Sequence, residues 1–208
     1  VFEGIRAYWN EDQGVLYGLK LREHMERIRR NAGMLLMRDL PAVDELAKRF
    51  DAEPANVEAG AALALALVRE QRPEEAALFV TRLRQIPDAA DDPLVDYVEA
   101  TLAAHRGVPQ QALILFERAL AMEEQADDRF GRGKTLNSIG LLEWDLGNYD
   151  QAMEQFRSAR AIGRELGDRK LEGASLNNLS LVYDELGDYK TSLKQYQEVL
   201  GIYEDADF

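Results

Sequence analysis

Cysteine is absent from this 208-residue chain. That rules out disulfides and thiolate-held metal, and suits a cytoplasmic protein without requiring one. Histidine is nearly absent. His24 and His105 each stand alone, and a zinc site needs three or four converging ligands. His105, beside Arg106-Gly107, reads as a polar helix-end residue. No apolar run reaches the roughly 18 residues of a membrane span, and the richest, 61–68, is a turn or two of helix. Positive charge is in short supply: 25 Lys and Arg face 38 Asp and Glu, a net charge of −13. That balance argues against a nucleic-acid binder, which should turn a basic face to phosphates. The acidic excess reads as a solvated outer surface. No targeting signal is visible, but Val1 already lies in a strand-like run, so a true start is expected upstream.

What the chain does have is repetition. Leu136-Asn137-Ser138-Ile139-Gly140-Leu141-Leu142 returns as Leu176-Asn177-Asn178-Leu179-Ser180-Leu181-Val182. Leu146-Gly147-Asn148-Tyr149 returns as Leu186-Gly187-Asp188-Tyr189, and Gln155-Phe156 as Gln195-Tyr196, an offset of 40 each time. Gly107, Ala112, Phe116 and Ala119 stand 40 before Gly147, Ala152, Phe156 and Ala159. Ala76, Val80 and Leu83 take the same places in a copy 36 residues earlier. Self-similarity at such a period marks stacked supersecondary units.

The spacing predicts helices over 42–50, 56–70, 73–86, 92–106, 110–125, 129–146, 149–166, 168–186 and 189–203. Pro73 fits a first helical position. Gly107, Gly147 and Gly187 mark turns where a helix stops in a left-handed conformation and the chain reverses. Gly167-Asp168 punctuates the junction between two units.

The first 37 residues differ from the rest. Val1 to Trp9 has the β-branched and aromatic content of a strand, residues 10–14 are a turn, and 15–20 read as a second strand. Helical spacing follows over 21–36, with Leu21, Met25, Ile28 and Leu35 or Leu36 near one face. Phe2-Glu3-Gly4-Ile5-Arg6-Ala7-Tyr8 with Leu21-Arg22-Glu23-His24-Met25-Glu26-Arg27 resembles the N-terminal part of branched-chain amino-acid aminotransferases, pyridoxal-phosphate enzymes of fold type IV. The resemblance implies that Arg27 grips the cofactor phosphate and that Phe2 lines the substrate pocket. It stops near Met37. No later segment resembles the family's Schiff-base lysine region, and without that lysine the cofactor has no covalent anchor. Residues 1–37 are therefore expected to be a fragment, inactive as it stands. So short a piece buries too little to fold alone, and is expected to be poorly ordered or to lean on the first repeat helices.

The repeated positions, with Gly140, Gly147 and Tyr149, Ala152, Phe156 and Ala159, resemble the tetratricopeptide repeat. The resemblance covers about 42–208. Its usual unit is 34 residues, and 40 looks like the longer-helix variant of bacterial regulators and motor light chains. It implies an all-α solenoid of about four helical hairpins behind a short β-hairpin and helix. Two units follow: 1–37, and a repeat domain over 42–208. A further repeat is expected past Phe208, and an exposed solenoid end is expected to favour self-association.

Sites that could carry chemistry are few. Gly131-Arg132-Gly133-Lys134-Thr135 resembles the end of a phosphate-binding loop, but Asp128 holds the place of the motif's first glycine and no apolar strand precedes it. It reads as a loop entering a helix. Asp91-Asp92 and Asp127-Asp128 suit helix caps. Trp144 reads as packing. No catalytic, metal or cofactor residue is expected in the repeats.

The tetratricopeptide resemblance implies a concave face lined by the first helices, with asparagines clamping a peptide backbone. The inward positions carried over are Tyr97, Thr101 and Ala104; then Lys134, Asn137, Ser138, Leu141 and Asp145; then Asn177, Asn178, Leu181 and Glu185. An amide donates and accepts at once, which suits an extended peptide. Ordinary surface polarity accounts for these residues equally well. The chain is thus expected to be a peptide- or helix-binding scaffold, with a truncated or chimeric aminotransferase as the alternative.

Overall fold

The computed structural model describes residues 7–10, 15–18, 42–87, 89 and 91–204. Two short strands, β1 (Ala7–Asn10) and β2 (Val15–Gly18), pair antiparallel with Ala7 opposite Gly18 and Asn10 opposite Val15. The helix expected over 21–36 lies outside the described residues, as do Phe2, His24 and Arg27.

From residue 43 the described chain is helical. The helices are α1 (Val43–Ala52), α2 (Val57–Arg69), α3 (Pro73–Arg84), α4 (Pro93–His105), α5 (Pro109–Gln125), α6 (Arg129–Asp145), α7 (Tyr149–Leu166), α8 (Arg169–Glu185) and α9 (Tyr189–Glu204). Their ends follow from local chemistry. Asn56, Asp92, Asp128 and Asp168 each accept a backbone N–H in the first turn of the helix they precede. Pro73, Pro93 and Pro109 occupy first positions, where a missing N–H is harmless.

The pairs α2–α3, α4–α5, α6–α7 and α8–α9 form hairpins, and each hairpin packs on the next. First helices also touch directly: α2 with α4, α4 with α6, α6 with α8. This is a solenoid of stacked hairpins. No described helix is long and apolar enough to cross a membrane.

The turns inside the hairpins share one device. Gly107, Gly147 and Gly187 lie at φ of 74°, 79° and 78°. The first hairpin reaches the same left-handed turn without glycine: Gln71 sits at φ 62°. Between hairpins, Gly167 at φ 69° is matched 40 residues earlier by Asp127 at φ 53°. Repeat geometry overrides residue preference at both non-glycine sites.

Small residues set how closely helices approach. Ala76, Ala112 and Ala152 are fully buried at equivalent places, as are Ala119 and Ala159. Added methyl groups at Gly133 and Gly140 would stand 2.6 Å from Leu171 Cδ2 and Phe156 Cε1. One buried charge ties the early hairpins together. Asp96 on α4 is fully buried and accepts hydrogen bonds from Arg84 on α3 and Arg118 on α5. Arg84 also donates to Glu99 at 2.8 Å. Losing either guanidinium would leave a buried carboxylate under-compensated.

Candidate functional site: the face of the first helices

Helices α4, α6 and α8 run side by side, and the expected groove residues sit along their contacts. Tyr97 Oη lies 3.1 Å from Ser138 Oγ. Asn178 Nδ2 donates to Asn137 Oδ1 at 3.1 Å. Tyr97, Asn137 and Asn177 are equivalent residues 40 apart, and each bond reaches 41 residues forward. The two bonds are therefore the same rung, repeated between successive first helices. Asn137 and Asn178 thus face one another, and both are buried.

The rungs do not use all their polar capacity. Asn137 Nδ2, Asn178 Oδ1 and Asn177 Nδ2 are buried without a hydrogen-bond partner. Such atoms cost free energy unless something satisfies them. Around them Lys134, Ser138 and Leu141 are half-buried, Asp145 and Glu185 are exposed, and Leu181 is buried. Thr101 and Ala104 are half-buried on α4.

Lys134 is held by aromatic rings. Its Nζ lies 5.0 Å from the Tyr97 ring centroid and 5.6 Å from that of Phe130, within reach of both π-faces. Tyr97 is fixed edge-on against Phe116, with centroids 5.6 Å apart. A cation, two rings and hydroxyls thus line one strip, with the asparagine amides buried beneath it.

The motif that resembles a phosphate loop has other uses. Its Gly131 N–H donates to the Asp128 cap at 2.9 Å, so this backbone belongs to the first turn of α6. Gly133 admits Leu171, and Thr135 Oγ1 donates to Glu123 Oε1 at 2.9 Å. Glu123 escaped the sequence argument altogether. It is only 4% exposed, and burial pushes its carboxyl up to about 7, with Asp128 adding to the rise and Thr135 and Lys134 opposing it.

Among the described residues no cluster of three or more His, Cys, Asp or Glu could hold a metal. Every lysine after Lys20 (Lys48, Lys134, Lys170, Lys190 and Lys194) lies on a repeat helix, and Lys134 is engaged with Tyr97 and Phe130.

Comparison with known proteins gives two results. The tetratricopeptide repeat model matches residues 97–165 and 132–205, together more than half of the chain. Similar solved structures include MamA, 17% identical over 80% of this chain and 90% of that one, with a TM-score of 0.54. Another is BtubC from P. vanneervenii, 17% identical over 90% and 75%, with a TM-score of 0.59. At such identities the likeness is one of fold. Separately, 46 residues, 22% of the chain, are 50% identical to a probable branched-chain-amino-acid aminotransferase of Aquifex aeolicus. They span 15% of that protein's length.

Proposed function

The chain belongs to the tetratricopeptide repeat family, and we propose that it is a protein-interaction scaffold holding a partner's peptide or helix against α4, α6 and α8. The observation that carries this is the strip of half-buried Lys134, Ser138 and Leu141 laid over matched rungs between successive first helices. Asn137, Asn177 and Asn178 are buried between the first helices and set their register, so the half-buried Lys134, Ser138 and Leu141 above them are the groups a docking partner meets. Lys134, Ser138, Leu141 and Leu181 border them, with Asp145 and Glu185 toward the ends of their helices. The scaffold catalyses no reaction and recruits its partner through shape and backbone pairing. It works as a cytoplasmic protein.

The test is a pull-down comparing the wild-type chain with Lys134→Glu and with Asn137→Ala/Asn177→Ala. Loss of the same partner from both variants, with helicity retained, supports the reading. Equal recovery of every partner from all three proteins removes it.

A second reading rests on the 46-residue match: the front of a pyridoxal-phosphate aminotransferase joined to a repeat domain. Residues 1–37 and 42–208 are then separate units, and Arg27 would meet the cofactor phosphate. An Arg27-dependent visible spectrum on mixing with pyridoxal phosphate would favour it. The lysine positions weigh against turnover.

A further inference from the structure

The α5–α6 seam joins the second hairpin to the third and holds a carboxyl in an unusual setting. Glu123 is buried on α5, one oxygen accepting from Thr135 on α6 and the other, Oε2, buried with no partner. Asp128, the α6 cap, lies close by. A methyl group at Gly131 would collide with the Asp128 carboxylate and come within 3.0 Å of Glu123 Oε1. The glycine leaves room for two acidic groups where any other residue would separate them. Other charged groups at the seam are Asp127 in the turn, Arg129, which pairs with Glu165, Lys134, which is drawn toward the Tyr97 and Phe130 rings, and the Glu124–Arg132 pair at 3.3 Å.

We propose that the α5–α6 seam is a protonation-sensitive joint, closed when Glu123 is neutral and loosened when it ionises. A neutral carboxyl suits a seam that offers one hydroxyl donor. An ionised one needs more hydrogen bonds than Thr135 gives, and it meets the Asp128 charge. The same helix α6 carries Lys134 and Ser138, so opening the seam shifts both relative to Tyr97 on α4. The joint stands independently of any ligand; its effect on a bound segment rests on the scaffold reading.

The direction is fixed by the raised carboxyl, which titrates near 7 in place of 4.5. Protonation favours the closed seam, so its stability is full below 4.5 and falls as pH rises through 7. The chain contains its own control. At the α7–α8 seam, Gly163 stands 40 residues after Glu123 and packs on the backbone of Glu172.

The experiment is amide hydrogen exchange on the full chain between pH 5 and 8.5, corrected for intrinsic rates. Protection over residues 126–135 should fall about tenfold or more in the wild type, one pKa unit's worth of linkage. It should stay level in Glu123→Gln, and residues 166–175 should not follow it in either protein. Thr135→Val, which removes the donor that opposes the rise, should move the midpoint to higher pH. A flat wild-type profile, or an unaltered profile in Glu123→Gln, overturns the joint.

Discussion

The α6–α7 and α8–α9 hairpins are copies of one unit, but they are closed by different chemistry. In α6–α7 the close approach is made by Gly140 against the Phe156 ring, with Ala152 and the half-buried Trp144 beside it. In α8–α9 the same four places hold Ser180, Tyr196, Ser192 and Asp184. Ser180 Oγ lies 2.8 Å from the Leu176 carbonyl and 3.1 Å from Gln195 Oε1. Tyr196 Oη donates to Asp184 Oδ2 at 3.2 Å. A hydroxyl added to the half-buried ring needs an acceptor, and an aspartate stands where the other copy has tryptophan. One backbone geometry therefore tolerates an apolar closure or a polar one.

The comparison breaks most sharply at Phe156. Phe156 is 1% exposed and bridges its own hairpin to Leu179 and Val182 of the next. Phe156→Ala should cost about 3–5 kcal/mol, read as the shift in urea midpoint. An unchanged midpoint would remove this ring from the core. Gly140→Ser copies the other hairpin's residue without its partners. The new Cβ would stand 2.6 Å from the ring, so a loss of roughly 1–3 kcal/mol is expected. Ser180→Gly should cost less than that, because it removes one hydroxyl's hydrogen bonds and adds no atom the site must accommodate. If the two changes cost the same, the closures are not distinct.

Tyr196→Phe sharpens the contrast from the polar side. It keeps the ring and removes one donor from Asp184, at a cost near 1 kcal/mol. The corresponding Phe156→Tyr should cost at least as much, since Trp144 offers no acceptor in place of Asp184.

Much of this was readable beforehand because the repeat aligns with itself. The four hairpins, the alanines and the three glycine turns all follow from positions 36 or 40 apart. Gln71 and Asp127 were not readable as left-handed residues, since neither type requires that conformation and only their phase with Gly107 and Gly167 betrays it. The rungs hid for another reason. Tyr97 meets Ser138, and Asn137 meets Asn178, one residue beyond the repeat offset, so aligned columns name equivalent residues but not contacting ones. Glu123 sits in Met122-Glu123-Glu124, where a glutamate on a helix ordinarily faces water. Its burial depends on Gly131 and Thr135 from the neighbouring helix, which no local pattern reveals.

The smallest expected difference is one of pH. Burial raises the Asp184 carboxyl above its ordinary value, the neighbouring Glu185 charge adds to this, and the Ser192 and Tyr196 hydroxyls oppose it. A raised acid holds its proton more tightly in the folded state than in the unfolded chain. Its contribution to stability is therefore full below the ordinary aspartate value of 3.8 and lost as pH rises through the folded value. Asp184→Asn keeps an acceptor for Tyr196 while deleting the titration, so its urea midpoint should vary less between pH 3.5 and 7 than the wild type's. The α6–α7 hairpin has Trp144 at this place and nothing there to titrate. Trp144→Phe should therefore leave the pH slope alone while lowering stability at every pH. If Asp184→Asn and Trp144→Phe altered the slope equally, the polar closure of the last hairpin would not be what makes it respond to protons.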